Sequence, residues 1–80
     1  LPEHPLTIEV DTPDPRPLAS ILLTLEGVER IAWRNGGLEL LTTRPDDVFD
    51  RLAVAADEGE ARIEGVRPVD EDLEAVFRYL

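Results

Sequence analysis

The chain contains no cysteine, no methionine and no lysine among its 80 residues. Without cysteine there is no disulfide framework, thiolate zinc site, iron–sulfur cluster or thiol nucleophile. Without lysine there is no Schiff-base amine and no phosphate-loop or kinase-type lysine. Long apolar runs are missing too: Ile21 to Leu23, extended by Leu25, falls far short of the roughly 18 residues a membrane span requires. No signal-peptide core is visible. Positive charge is scarce, with eight arginines against 18 acidic residues and a formal net charge of −10. That balance argues against nucleic acid, whose phosphates need a basic face, and against direct binding to anionic lipid. A chain free of cysteine is compatible with a cytoplasmic home. Because it starts at Leu1 and carries no methionine, it is expected to be a fragment of a longer product, forming one small domain over residues 1–80.

What is present is a series of short apolar patterns separated by strong punctuation. Leu6, Ile8 and Val10 alternate with Thr7, Glu9 and Asp11, the period of a half-buried strand. Pro13, Pro15 and Pro17 stop it, and Asp14 before Pro15 reads as a helix N-cap with proline in the first turn; Arg16 before Pro17 is the alternative start. The helix should run to about Glu26, with Leu18, Ile21, Leu22 and Leu25 on one side and Gly27 as its left-handed cap, setting Val28 against Leu23. Glu29 to Arg34 forms the second strand and Leu38 to Thr42 the third, joined through Asn35-Gly36-Gly37, the strongest hairpin signal in the chain. Arg44-Pro45-Asp46-Asp47 opens a second helix, with Val48, Phe49, Leu52, Ala53 and Ala56 as its apolar stripe and Gly59 as its end. Ala61 to Arg67 is the fourth strand, interrupted by Gly65 and ended by Pro68. Asp70 or Asp72 caps a last helix bearing Leu73, Val76, Phe77 and Leu80.

The order β-α-β-β-α-β-α makes two βαβ halves joined by a hairpin. The expected class is α+β: a ferredoxin-like βαββαβ sandwich with an additional C-terminal helix, both crossovers right-handed and the antiparallel sheet in order 4-1-3-2. Its helix-facing set is expected to be Leu6, Ile8, Val10, Ile31, Trp33, Leu38, Leu40 and Ile63. The other face should carry Thr7, Glu9, Arg30, Ala32, Arg34, Glu39, Leu41, Arg62 and Glu64, a solvated surface laced with weak ion pairs. The last helix either folds over the sheet edge of its own chain or packs on a partner.

Catalytic chemistry finds little footing. The acidic clusters Asp46-Asp47, Asp57 to Glu60 and Asp70 to Asp72 sit at helix ends, where capping favours acids, and none has calcium-loop spacing. His4, the one histidine, lies in a proline-flanked tail, and Ser20, the one serine, lies in mid-helix without a glycine elbow. Trp33-Arg34-Asn35 is superficially similar to the asparagine segment of acylphosphatases, which share the βαββαβ order. Prolines in Thr12 to Pro17 nevertheless remove the backbone N–H donors their phosphate cradle would need.

Near the C-terminus, Arg67-Pro68-Val69-Asp70 followed by Asp72-Leu73-Glu74-Ala75-Val76-Phe77 resembles the strand and S-L-E-D-V-F helix that end many bacterial ABC transporter ATPases of the drug- and antibiotic-export type. Leu25-Glu26-Gly27-Val28-Glu29-Arg30-Ile31 is similar to the L-x-G-V-x-x-V passage of the same accessory domain, and Asn35-Gly36-Gly37-Leu38 to its glycine-bearing hairpin. Asp72 and Ala75 depart from the hexapeptide, at the capping serine and the second acid. The resemblance implies a non-catalytic assembly or regulatory domain, holding no cofactor itself, attached to a parent ATPase that uses ATP and Mg. It implies a cytoplasmic position at the inner membrane and three partners: the parent nucleotide-binding domain, a second copy in a homodimer, and the membrane permease subunit. The contact residues it points to are Leu73, Val76 and Phe77, with Asn35, Gly36 and Gly37 second. The alternative is a ligand-sensing module of the amino-acid-sensor type, whose site would lie at the first strand–helix junction.

Overall fold

The computed structural model describes residues 4–69. Within them the elements run β1 (Leu6–Asp11), α1 (Pro15–Leu22), β2 (Val28–Arg34), β3 (Gly37–Thr42), α2 (Pro45–Asp57) and β4 (Gly65–Val69). The strands form one sheet in the order β2-β3-β1-β4, every neighbouring pair antiparallel. This is the expected 4-1-3-2 order read from the other edge, and the fold is α+β and ferredoxin-like. The anticipated third helix, with Leu73, Val76 and Phe77, lies outside the described residues.

Alternation along β1 decides where the core sits. Ile8 and Val10 are fully buried, and their β3 partners Leu40 and Leu38 are too. Leu18, Ala19 and Leu22 of α1 and Val48 and Leu52 of α2 close the layer above them. Burial of such side chains contributes about 1.5–3 kcal/mol each, and they share one sheet face because successive strand residues point to opposite sides. Asp14 caps α1 as anticipated, its carboxylate accepting the Arg16 backbone N–H at 3.2 Å. In α2 the third stripe position is Ala55, which is buried, whereas Ala53 and Ala56 are exposed. Position 55 lies seven residues after Val48 and three after Leu52, two helical turns down one side.

Helix α1 ends at Leu22, a turn earlier than its apolar spacing suggests. Short-range bonds take over there: the Thr24 hydroxyl donates to the Ile21 carbonyl at 2.7 Å, and the Leu25 N–H donates to the Leu22 carbonyl at 3.1 Å. Such three-residue closures tighten and stop a helix. Leu25 still packs on the core from the turn. The anticipated contact of Leu23 with Val28 does not form its own buried patch, for Leu23 is 75% exposed while Val28 turns toward the core. Gly27 does take left-handed backbone at φ 86°, and a Cβ there would meet Arg44 Cγ at 2.7 Å.

The fourth strand is displaced from its sequence reading. It covers Gly65–Val69 rather than Ala61 to Arg67, and Pro68 lies inside it, opposite Ile8. Proline is tolerated because β4 is an edge strand; at a position whose backbone points away from β1, the missing N–H falls on the free edge. Arg62 and Glu64 are consequently off the sheet, paired with each other at 3.6 Å, and Ile63 reaches the core from the loop.

Two substitutions separate the buried layer from its exposed neighbour. Leu40→Ala should lower unfolding stability by about 2–5 kcal/mol. Leu23→Ala should change it by no more than about 0.5 kcal/mol. Urea unfolding at constant slope reads both.

Candidate functional site

Trp33 is the residue whose surroundings differ most from what the sequence suggests. It lies on the helix-facing side as expected, in register with Leu38 and through it with Val10, yet it is 58% exposed. The cause is position. Strand β2 is the outer strand, and Trp33 sits at its hairpin end, whereas Ile31, two residues back, still packs on the core. Burying a tryptophan removes a large apolar area from water, so an indole left this open at a strand end is a ready anchor for another surface.

Its neighbours come from three separate chain segments. Pro13 and Pro15 arrive from the β1–α1 junction, Asn35, Gly36 and Gly37 from the hairpin, and Glu64 from the approach to β4; with Thr12, Trp33 and Arg34 they line an open cleft of about 330 Å³. Backbone bonds tie the three together. The Thr12 N–H donates to the Gly36 carbonyl at 2.9 Å, and the Glu64 N–H donates to the Asp11 carbonyl at 2.8 Å. In the hairpin only Gly36 adopts left-handed backbone, at φ 85°; Asn35 stays at negative φ. The cleft thus includes Asn35, Gly36 and Gly37 together with Trp33, Pro13 and Pro15. One sequence signal could have identified Trp33: in a 4-1-3-2 sheet β2 is an edge, so the residue next to its turn has the least helix above it.

Behind the cleft, on the opposite sheet face, four charges interlock. Glu9 and Asp11 share a face of β1, Arg67 stands opposite Glu9 on β4, and Arg34 stands opposite Gly37, itself paired with Asp11. Arg67 donates to both Asp11 carboxylate oxygens, at 2.8 and 3.3 Å, and reaches Glu9 at 2.9 Å. Arg34 spans the same two acids from the other side, 3.2 Å from Asp11 and 3.3 Å from Glu9. The solvated, ion-paired face is therefore as expected for Glu9 and Arg34, but the second arginine is Arg67 and not Arg62. Hydrogen bonding from Arg67 is the main reason the Asp11 carboxyl sits below its ordinary range; the attraction of both guanidinium groups adds to this against partial desolvation. With two cations matched to two anions, the network braces three strands and leaves no lone pair of charges to bind an ion.

A second groove lies on the helical layer between the α1–β2 turn and α2, lined by Leu25, Glu26, Asp47, Asp50, Arg51 and Val54. Among the described residues, no group of three or more His, Cys, Asp or Glu is placed to hold a metal ion. Among them, too, no helix is long and apolar enough to cross a membrane. No family model matches the chain, and comparison with curated proteins and with solved structures yields no match.

The Asp11 brace carries a pH signature. Its depressed carboxyl contributes stability that is fully present above the unfolded aspartate value, near about pH 4, and is lost as pH falls through the lower folded value. Asp11→Asn should flatten the acid limb of the stability curve below about pH 4, measured by thermal melts between neutral and acidic pH. An acid limb identical to that of the parent chain would contradict the assignment.

Proposed function

We propose that this chain is a non-catalytic assembly and regulatory domain of an ABC transporter ATPase subunit, binding through Trp33 and the adjoining hairpin. The observation that carries the binding role is the half-open indole of Trp33. It stands beside Pro13, Pro15 and the Asn35–Gly37 turn. Rigid aromatic and proline surfaces lose little conformational entropy on association, which favours a contact surface. The transporter context rests on the resemblance of Leu25 to Ile31, Asn35 to Leu38 and Asp72 to Phe77 to the accessory domain of export ATPases. Two of these passages coincide with conformational necessities of the fold, the Gly27 turn and the Gly36 hairpin. ATP and Mg would belong to the parent chain, whose nucleotide-binding domain, its dimer mate and the permease are the proposed partners, on the cytoplasmic side of the inner membrane.

A second reading has one observation in its favour. The cleft lies at the first strand–helix junction, where an amino-acid sensor of this fold would place its ligand, and its volume of about 330 Å³ suits a small molecule. A thermal-shift screen with free amino acids tests it: a ligand at 100 times its dissociation constant adds about 2.7 kcal/mol.

The assembly reading is tested first in the coding sequence ahead of Leu1, which should carry a Walker A motif and an ABC signature. With that nucleotide-binding domain as partner, the emission of Trp33, the only tryptophan, should shift to the blue on binding. Trp33→Ala should leave the fold intact and weaken the complex by about 2 kcal/mol or more. Unchanged affinity in that variant, or an upstream sequence lacking both motifs, would overturn the proposal.

A further inference from the structure

The groove on the helical layer has a chemistry of its own, distinct from the Trp33 cleft. Its floor is apolar and partly open: Leu25 packs on the core from the turn, and Val54 on α2 is 45% exposed. Asp47, Asp50, Arg51 and Val54 recur at helical spacing along one side of α2, so the helix forms a continuous wall. The α1–β2 turn, through Leu25 and Glu26, forms the other wall. An apolar trough with one helical wall is suited to a helix laid along it.

The charges around it are unbalanced. Arg44 bridges Glu26 at 3.2 Å and Asp47 at 2.8 Å, and Arg51 is committed to Glu60 through two bonds of 2.9 Å. Every cation at the groove is thus already neutralised from within the domain. Asp50 has no ion-pair partner among the described residues, and Asp46 is exposed nearby in the first turn of the same helix. The rim therefore presents net negative charge in a chain whose total is −10. A second copy would bring acid against acid, and so would nucleic acid or an anionic bilayer. What fits is a partner with an apolar ridge flanked by positive charge.

We infer that this groove receives a Lys/Arg-rich amphipathic helix, supplied by a cytoplasmic loop of the membrane subunit. The identity of that supplier rests on the transporter reading above. Membrane proteins concentrate lysine and arginine in short cytoplasmic loops, so an acidic, lysine-free domain on that side meets complementary charge. Apolar contacts on Leu25 and Val54 set where the helix lies; Asp50, Asp47 and Glu26 set its sign.

The 80-residue chain is titrated with an amphipathic peptide of about four helical turns, leucine on one face and lysine and arginine on the other. Resonances of α2 and of Leu25 and Glu26 should shift. Affinity should fall about tenfold in Asp50→Lys and severalfold in Val54→Ser, both exposed helix positions away from the core, and should weaken as salt shortens the range of the attraction. A peptide with glutamate in place of the basic residues should not bind. The inference is overturned by no binding at low salt, by affinity unchanged in both variants, or by equal binding of the acidic peptide. Capture of vesicles rich in phosphatidylserine through the same groove would also overturn it. The upstream coding sequence judges the transporter reading separately, because the groove's preference for a basic helix is measured on this chain alone.

Discussion

Gly37 lies so close to β1 that a methyl group there would collide with the Val10 carbonyl oxygen. Only glycine allows β3 to start at this depth, opposite Asp11, and the pairing then runs without a break to Leu6 and Thr42. Two features of the sheet follow from that approach. It brings the hairpin against the proline loop, where the Thr12 N–H meets the Gly36 carbonyl, and so assembles the Trp33 cleft from segments far apart in sequence. It also sets Arg34 beside Asp11 on the opposite face. A one-residue slip would reverse both faces, moving Ile8 and Val10 to solvent and the carboxylates into the core.

The two sides of the sheet are stabilised by different physics. On one, aliphatic side chains between strands and helices supply the nonspecific drive to collapse. On the other, Glu9, Asp11, Arg34 and Arg67 form a partly exposed network whose members hold β1, the end of β2 and β4 in one register. Pairs of this kind contribute little energy singly, but a closed set of four adds geometric definition to strands that have few residues to pair. Among the described residues both edge strands carry an irregularity: β2 a register shift between Val28 and Arg30, β4 the proline Pro68. These features discourage indiscriminate strand addition. What stays open on the surface is side chains: the Trp33 indole at one end of the sheet and the acidic groove on the helices.

On the helical layer, the turn after α1 is tied to the start of α2. Arg44 packs its methylenes over Gly27 while its guanidinium holds Glu26 and Asp47, and the Thr43 N–H donates to the Gly27 carbonyl at 2.9 Å. The turn after α1 and the start of α2 are therefore one rigid corner. A ligand on the groove would rest on preformed geometry, which lowers the entropic cost of binding.

Much of this was legible in the chain itself. Period-two alternation at Leu6 to Asp11, the Asn35-Gly36-Gly37 turn and the Asp14-Pro15 cap are local signals. They led to six elements, their order and the sheet topology, because short right-handed connections leave few alternatives. The departures were all matters of position. Pro68 reads as a strand terminator in sequence, since a missing N–H disrupts a central strand; on an edge strand it is tolerated, and β4 runs through it to Val69. Trp33 reads as core because it is large and in phase with Leu38, but phase names a face and not the depth of cover above it. Sequence by itself determined which residues could be strand, helix or turn, since backbone preference and periodicity are properties of neighbours. Which of them became exposed indole, brace or open groove was decided only by the tertiary structure, since exposure and charge pairing depend on what lies across space.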